Sequence, residues 1–341
     1  MIFGLKTSLV LTYWIMGFVL ITPVLFVLAA YIYRYFDSIL ARILYVVSSY
    51  MGGIFLNWFF ASIIMALVFA LSYFIVDSYI FQISVFLYSV ATALAFIGFY
   101  QSFKLKVIKY SVSTPKQYKD IIGKNFVLVA DTHLGPIHQE FFARRLFRKI
   151  IDQNPTAVLF SGDMFDSELY KDVDKIKKEI KNLTSKMPVF FTPGNHEQYG
   201  PYNHFIEIIT DGGMTVLSDE AIRFLGVPIF GLNFKQIKKM DEIEKLINSS
   251  IFKEHPSIVL NHEPVFHDLL EKAGAFLVVS GHTHNGQFWP GNYIANLFYG
   301  KYTYGLQKLR GLTSITTGGA GTFGSPIRTF NRPEIVVIEF E

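Results

Sequence analysis

Hydrophobic and polar positions along this chain follow two regimes that change near residue 105. Before that point three stretches, Thr7 to Tyr33, Ile43 to Val76 and Ser78 to Phe103, carry no Asp, Glu, Lys or Arg. Each exceeds the roughly 20 apolar residues that a helix needs to cross the hydrocarbon layer. A helical bundle in water would show polar outer faces, which these stretches lack. A cleavable secretory signal has one short apolar core, so three long ones exclude it. The pattern therefore predicts a transmembrane anchor over residues 1–104, of about three helices. Gly52 and Gly53 mark a possible break in the middle stretch, which would create a fourth span. The span interiors hold no Asp, Glu, Lys, Arg or His, and a transporter or proton relay usually needs one; a passive anchor is the expectation.

Beyond the anchor, residues 105–124 turn to Lys, Ser, Thr and Pro115, a composition expected of a linker into a separate domain over 125–341. In that domain short runs of Val, Ile and Phe alternate with Lys-rich stretches of helical spacing, Phe141 to Asn154, Val173 to Leu183 and Met240 to Ser249. The fold class is α/β. Strands are expected at Phe126–Ala130, Ala157–Ser161, Val189–Thr192, Pro228–Gly231, Ser257–Leu260, Phe276–Ser280, Ser314–Thr317 and Glu334–Phe340. Their continuous apolar character implies sheets covered on both faces.

Charge adds an orientation. Arg34 and Arg42 follow the first span, Asp77 alone follows the second, and Lys104, Lys106, Lys109, Lys116 and Lys119 follow the third. Lys and Arg are retained on the cytoplasmic side, so the C-terminal domain is expected inside, at the inner membrane, with Lys6 the one dissenting charge. A net charge of +4 is too small to suggest a nucleic-acid partner. With no Cys in the chain, a bound metal must be held by His, Asn and carboxylates.

Five of the expected strands end in clusters that could supply such ligands. They are Asp131-Thr132-His133, Gly162-Asp163-Met164-Phe165-Asp166, Pro193-Gly194-Asn195-His196-Glu197, Asn261-His262-Glu263 and Gly281-His282-Thr283-His284. Strand ends are where α/β folds bind ligands. In Asp131-x-His133 and His282-x-His284 an extended chain would return both side chains to one face. Asp163 has two oxygens and can bridge two cations, and the preceding Gly lets backbone approach closely. Asn195 offers a carbonyl oxygen. Imidazole and oxygen ligands suit Mn, Fe or Zn, and pairs of such ions are a usual device for hydrolysing phosphoryl groups. Arg144, Arg145 and Arg148 read as a solvated basic face. His138, His204, His255 and His267 fall outside the clusters and read as surface or structural residues; Glu197 reads as setting loop geometry.

The ordered set resembles the calcineurin-like metallophosphoesterases over about residues 125–341. That resemblance implies a four-layer α-β-β-α sandwich with two divalent cations, Mn favoured, at its loop-bearing edge. It implies that Asp131, His133 and His284 hold one metal, that Asn195, His262 and His282 hold the other, and that Asp163 bridges them. It further implies a metal-bound hydroxide as nucleophile, His196 as the group that protonates the leaving oxygen or stabilises phosphoryl charge, and Asp166 as its orienting carboxylate. The stretches Gly318 to Arg328 and Arg332 to Ile335 are similar to a membrane-associated bacterial branch, which has Gly where Asn285 stands. Some members of it look like pyrophosphohydrolases of UDP-2,3-diacylglucosamine in lipid A synthesis. The expected substrate is then a phosphodiester or phosphoanhydride carried on a lipid, with the aromatic segment Phe288 to Tyr304 as an acyl-accepting groove or as core. The alternatives are a general phosphodiesterase on soluble or envelope substrates and a non-catalytic scaffold. The lipid bilayer and the ester are the expected partners.

Overall fold

The computed structural model describes residues 2–36, 38–70, 79–166, 173–234 and 256–341, so the helix expected over Met240 to Ser249 and the residue His255 lie outside it. Two compact units result, one of Met1–Gln101 with Gly324–Thr329, the other of Ser102–Phe323 with Phe330–Glu341.

In the first unit lie α1 (Ile2–Tyr35), α2 (Ile39–Ala70) and α3 (Ile80–Ser102). Among the described residues three segments, Gly17–Tyr35, Ile39–Ala70 and Ile80–Ser102, are long and apolar enough to cross a membrane. The break suggested at Gly52 and Gly53 is absent, for α2 runs through both as one helix. Polarity is arranged inside out. Leu20, Val27, Leu67, Phe69 and Phe86 are exposed, whereas Thr22, Ser48 and Ser49 are buried, as expected where lipid replaces water and helix contacts are made by small and hydroxylated residues. Trp58 Nε1 donates to Thr92 Oγ1 at 2.9 Å, and the Ser62 and Tyr88 hydroxyls lie 2.8 Å apart. The 324–329 segment belongs to this unit because glycines admit it. A Cβ at Gly98 would stand 2.5 Å from Ile327, one at Gly53 would stand 2.7 Å from Phe99 and from Ser325 Oγ, and Arg328 N donates to Gly98 O at 3.0 Å.

The second unit is built on two six-stranded sheets. The first contains β1 (Lys106–Val112), β2 (Asn125–Val129), β3 (Ala157–Ser161), β4 (Val189–Thr192), β5 (Thr215–Val216) and β12 (Glu334–Phe340), in the order β1-β12-β2-β3-β4-β5. The second contains β6 (Glu220–Phe224), β7 (Val227–Leu232), β8 (Ser257–Asn261), β9 (Ala275–Ser280), β10 (Gly305–Leu309) and β11 (Leu312–Thr316), in the order β10-β11-β9-β8-β7-β6. Alternation along each strand divides the core into layers. Phe126, Leu128 and Leu159 face Ile258, Leu260, Leu277 and Val279 between the sheets. Val127, Val129, Val158 and Phe160 turn the other way, onto α4 (Glu140–Ile151), α5 (Val173–Thr184) and α7 (Tyr202–Asp211). Val259 and Val278 turn onto Leu270 of α8 (His267–Lys272). Helix, sheet, sheet, helix is the four-layer sandwich that the sequence led us to expect.

Within the stretch expected as a linker over 105–124, residues 106–112 form a strand. β1 pairs in parallel with β12, from Lys106 opposite Glu334 to Val112 opposite Phe340. Its Lys-interrupted sequence is that of an edge strand, where Lys discourages pairing with foreign chains. The aromatic segment 288–304 is not core either: α9 (Gly291–Tyr299) buries no residue of its own.

Candidate metal centre

All five clusters lie where strands end. Asp131 and His133 follow β2, Asp163 follows β3, Asn195 and His196 open the short helix α6 (Asn195–Tyr199) after β4, His262 follows β8, and His282 and His284 follow β9. β2, β3 and β4 are parallel neighbours in one sheet, as are β8 and β9 in the other, so their carboxyl ends deliver the clusters to one edge of the sandwich.

The local backbone differs from the extended form that the Asp-x-His and His-x-His spacing suggested. Asp131, His133, Asp163, His282 and His284 have φ between 45° and 69°, a left-handed region that non-glycine residues seldom adopt and that concentrates at functional sites. Side chains converge because the chain turns at each of them. The two glycines of the neighbouring loops make the convergence possible: a Cβ on Gly162 would lie 2.5 Å from His262 Nδ1, and one on Gly194 would lie 2.2 Å from Asp163 Oδ1.

Two half-sites result. Asp131, His133 and His284 form one group of buried ligand atoms within 4.8 Å of one another, and Asp163, His262 and His282 form a second. In the first, His133 Nε2 is 3.0 Å from His284 Nε2, and His284 Nε2 is 3.7 Å from Asp131 Oδ1. In the second, Asn195 Oδ1 is 3.0 Å from His262 Nε2 and 2.9 Å from His282 Nδ1. Asp163 Oδ2 reaches both sides, 3.2 Å from His262 Nε2 and 3.8 Å from His133 Nε2. Beside them His196 Nδ1 is 3.1 Å from Asp166 Oδ1, and the His133 and His196 rings meet edge to face at 4.5 Å.

The donor set fits divalent cations. His262 Nδ1–H donates to Ser161 O at 2.8 Å, which fixes the tautomer and turns the Nε2 lone pair toward two oxygens, Asn195 Oδ1 and Asp163 Oδ2. Three acceptors facing one another require a proton or a cation between them. The electrostatics show the same demand. Burial lowers His262, but the carboxylate of Asp163 outweighs it and pushes His262 up to about 10. Burial also raises Asp163, yet its imidazole neighbours hold it well below the usual carboxylate range. Burial above all brings His133 down to about 3 and His282 to about 4, so both rings are neutral with lone pairs to give. For His196 burial works downward, and the bond to Asp166 together with the charge of Asp163 lifts it to about 9.

Glu197 holds the loops. Fully buried, it accepts from the backbone N–H groups of Asp163 (2.9 Å), Phe165 (3.1 Å) and Gly194 (2.8 Å). Glu197→Ala would leave three buried donors unpaired, each costing about 1–3 kcal/mol; a clear fall in the unfolding temperature is expected, only partly recovered in Glu197→Gln, whose single carbonyl oxygen can accept in place of one carboxylate oxygen, and an unchanged transition in Glu197→Ala would refute this role. One residue given no part by sequence reasoning also belongs here. Phe323 puts its ring 5.9 to 6.3 Å from those of His133, His196 and His284. Buried Glu334 accepts from Gly318 N at 2.9 Å and from Tyr304 Oη at 2.9 Å. His138 and His267 are structural, bonded to Thr322 (2.7 Å) and Ser314 (2.8 Å), and His204 is exposed.

Residues 124–286 match the family model of calcineurin-like phosphoesterases, and the two-sheet unit has the metallophosphoesterase fold, with His and Asp clusters that suit a pair of divalent cations. An uncharacterized metallophosphoesterase of Helicobacter pylori strain J99 is 30% identical over 71% of this chain and 65% of its own length. One from Campylobacter jejuni is 28% identical over 84% of this chain and 77% of its own. A Danio rerio transmembrane protein with a metallophosphoesterase domain is 25% identical over 68% of this chain and 56% of its own length. The chain thus spans just under two thirds of the Helicobacter relative.

Proposed function

We propose that this protein is a membrane-anchored metal-dependent hydrolase of phosphate esters or anhydrides. The observation that carries the reading is the convergence of seven buried or nearly buried ligands into two half-sites joined by Asp163. Asp131, His133 and His284 would hold one cation and Asn195, His262 and His282 the other, with Asp163 shared between them; Mn is favoured. When bound, the pair supplies Lewis acidity that activates water and offsets charge on the phosphoryl group.

His196 does the work that remains to the protein. Its Nδ1–H donates to Asp166, so Nε2 is the nitrogen free to face substrate, and the proton it carries there is held by nearby carboxylates. A protonated imidazole beside the site donates to the leaving oxygen or stabilises negative charge on the transferred group.

A lipid-linked phosphodiester or phosphoanhydride, of which UDP-2,3-diacylglucosamine is one chemical example, is the substrate class we favour. The three apolar helices support it, as do Phe323, half exposed beside the site, and Tyr299, whose ring stands 5.8 Å from that of His282. The Lys residues after α3 support a cytoplasmic domain at the inner membrane. Two measurements test this function. Chelation is expected to abolish hydrolysis of an aryl phosphodiester, with Mn restoring it; hydrolysis that survives complete metal removal would end the proposal. A screen with Mn should favour lipid-linked UDP-sugars over cyclic nucleotides and simple esters. Preference for the soluble esters would leave a general phosphodiesterase, and no hydrolysis by the metal-loaded protein would leave a scaffold.

A further inference from the structure

Outside the metal centre the most unusual surface of the globular unit is α9. Its nine residues divide into two faces. Tyr293, Ile294, Leu297 and Phe298, at the i, i+1, i+4, i+5 spacing of one helical stripe, all point into solvent; Leu297 is 85% and Phe298 78% exposed. On the other side Tyr299 donates to Glu263 at 2.9 Å, and Thr303 Oγ1 reaches Ala295 O. Trp289, just before the helix, is also exposed. A water-facing helix ordinarily presents charges there, and large exposed apolar patches mark interaction sites.

The surroundings point to lipid. α9 continues through the turn Gly300–Thr303 into Tyr304, whose hydroxyl accepts from Lys106 Nζ at 3.2 Å. Lys106 opens β1, and only residues 103–105 separate it from the end of α3 at Ser102, a reach of about 10 Å. Arg332 Nε donates to Lys104 O at 2.8 Å on the same connection. The apolar stripe therefore lies one short turn from the side chains that brace the chain as it leaves the last apolar helix. Exposed Lys104, Lys301 and Arg332 add positive charge to that neighbourhood, matching the anionic headgroups of a bilayer. Trp and Tyr flanking aliphatic and Phe side chains is the composition of a helix lying in the headgroup layer.

We infer that α9 is an interfacial helix that seats its Tyr293, Ile294, Leu297 and Phe298 face in the bilayer surface. The inference rests on α1 to α3 spanning a bilayer and does not depend on the substrate.

The chain has no Cys, so single cysteines can carry a fluorophore in the otherwise intact protein. Leu297→Cys and Phe298→Cys, both at exposed positions, would be labelled in full-length protein in nanodiscs of phosphatidylcholine and phosphatidylglycerol, with Leu67→Cys on α2 and Lys178→Cys on α5 as references. Nitroxide placed near the headgroup end of the acyl chain is expected to quench the 297 and 298 labels several-fold more than the 178 label. Aqueous iodide should show the reverse order. Labels at 297 and 298 that behave like 178 would overturn the inference, as would labels shielded from both quenchers, which would mean a protein covers the face. If the Leu67 label also escaped the lipid quencher, the membrane anchor would fall with it; loss at 297 and 298 alone would overturn only the seating of α9.

Discussion

Asp163→Asn is expected to lower kcat/KM for an aryl phosphodiester by about 10³-fold, because the carboxylate that in our reading would be shared between two cations would supply several kcal/mol of charge stabilisation and each 1.36 kcal/mol is worth a factor of ten. The substitution keeps the shape and removes the charge. It also withdraws the group that balances His262, whose Nε2 lies 3.2 Å away, so metal content by elemental analysis should drop below two per chain. The backbone bonds Asp163 N to Glu197 and Thr132 N to Asp163 O do not involve the altered atoms, the bond from His196 N to Asp163 Oδ1 can pass to the amide oxygen of Asn, and the unfolding temperature should show a folded protein. An Asp163→Asn protein that keeps both metals and hydrolyses within tenfold of the parent would show that the residue is not the bridge.

His196→Asn should separate protonation from metal binding. Loss of a positioned acid typically costs about 10² to 10⁴ in kcat, while the two half-sites, to which His196 contributes no ligand in our reading, should retain their metals. A pH profile gives the sharper test. His196 acts while protonated, so activity falls as pH rises through its folded-state value, which its neighbours lift to about 9; bound cations pull in the opposite direction. Asp166→Asn removes a hydrogen bond and a charge that both favour the protonated ring. The alkaline limb is therefore expected to move to lower pH in that variant, and a limb that stays in place would remove His196 as its source. The same raised value bears on stability. The pairing stabilises the fold fully below the unfolded value of 6.5 and loses its contribution as pH climbs through about 9.

How far the architecture could be read from residues depended on where a strand sits in its sheet. The eight strands expected from apolar runs, β2, β3, β4, β7, β8, β9, β11 and β12, occupy every interior position. The four that went unrecognised, β1, β5, β6 and β10, are the four edges. Interior strands are covered on both faces and read as unbroken Val, Ile and Phe. An edge strand such as Lys106-Val-Ile-Lys-Tyr-Ser-Val or Glu220-Ala-Ile-Arg-Phe mixes charge into its pattern and is held by its neighbour's register. The convergence of the candidate ligands was legible in the sequence, and their backbone conformation was not. Asp131, His133, Asp163, Asn195, His262, His282 and His284 announced themselves by type and order, and the structure brings all seven side chains together. Their left-handed backbone was hidden, because nothing in a local Asp-Thr-His sequence marks a positive φ; the neighbouring loops and Glu197 impose it. Phe323 was given no role at the site because its importance is positional: it reaches the rings of His133, His196 and His284 from a distant part of the chain.

The six residues from Gly324 to Thr329 carry a practical warning about where this molecule can be cut. A soluble fragment beginning at Ser102 would appear to discard only greasy helices, yet it would strip Ile327 and the Arg328 amide of the Gly98 surface that receives them. Phe323 on one flank and Asn331 on the other, which donates to the backbone of His284 and Asn285, would then be joined by an untethered loop. Loss of activity in such a fragment would report the freed 324–329 segment and not a need for lipid.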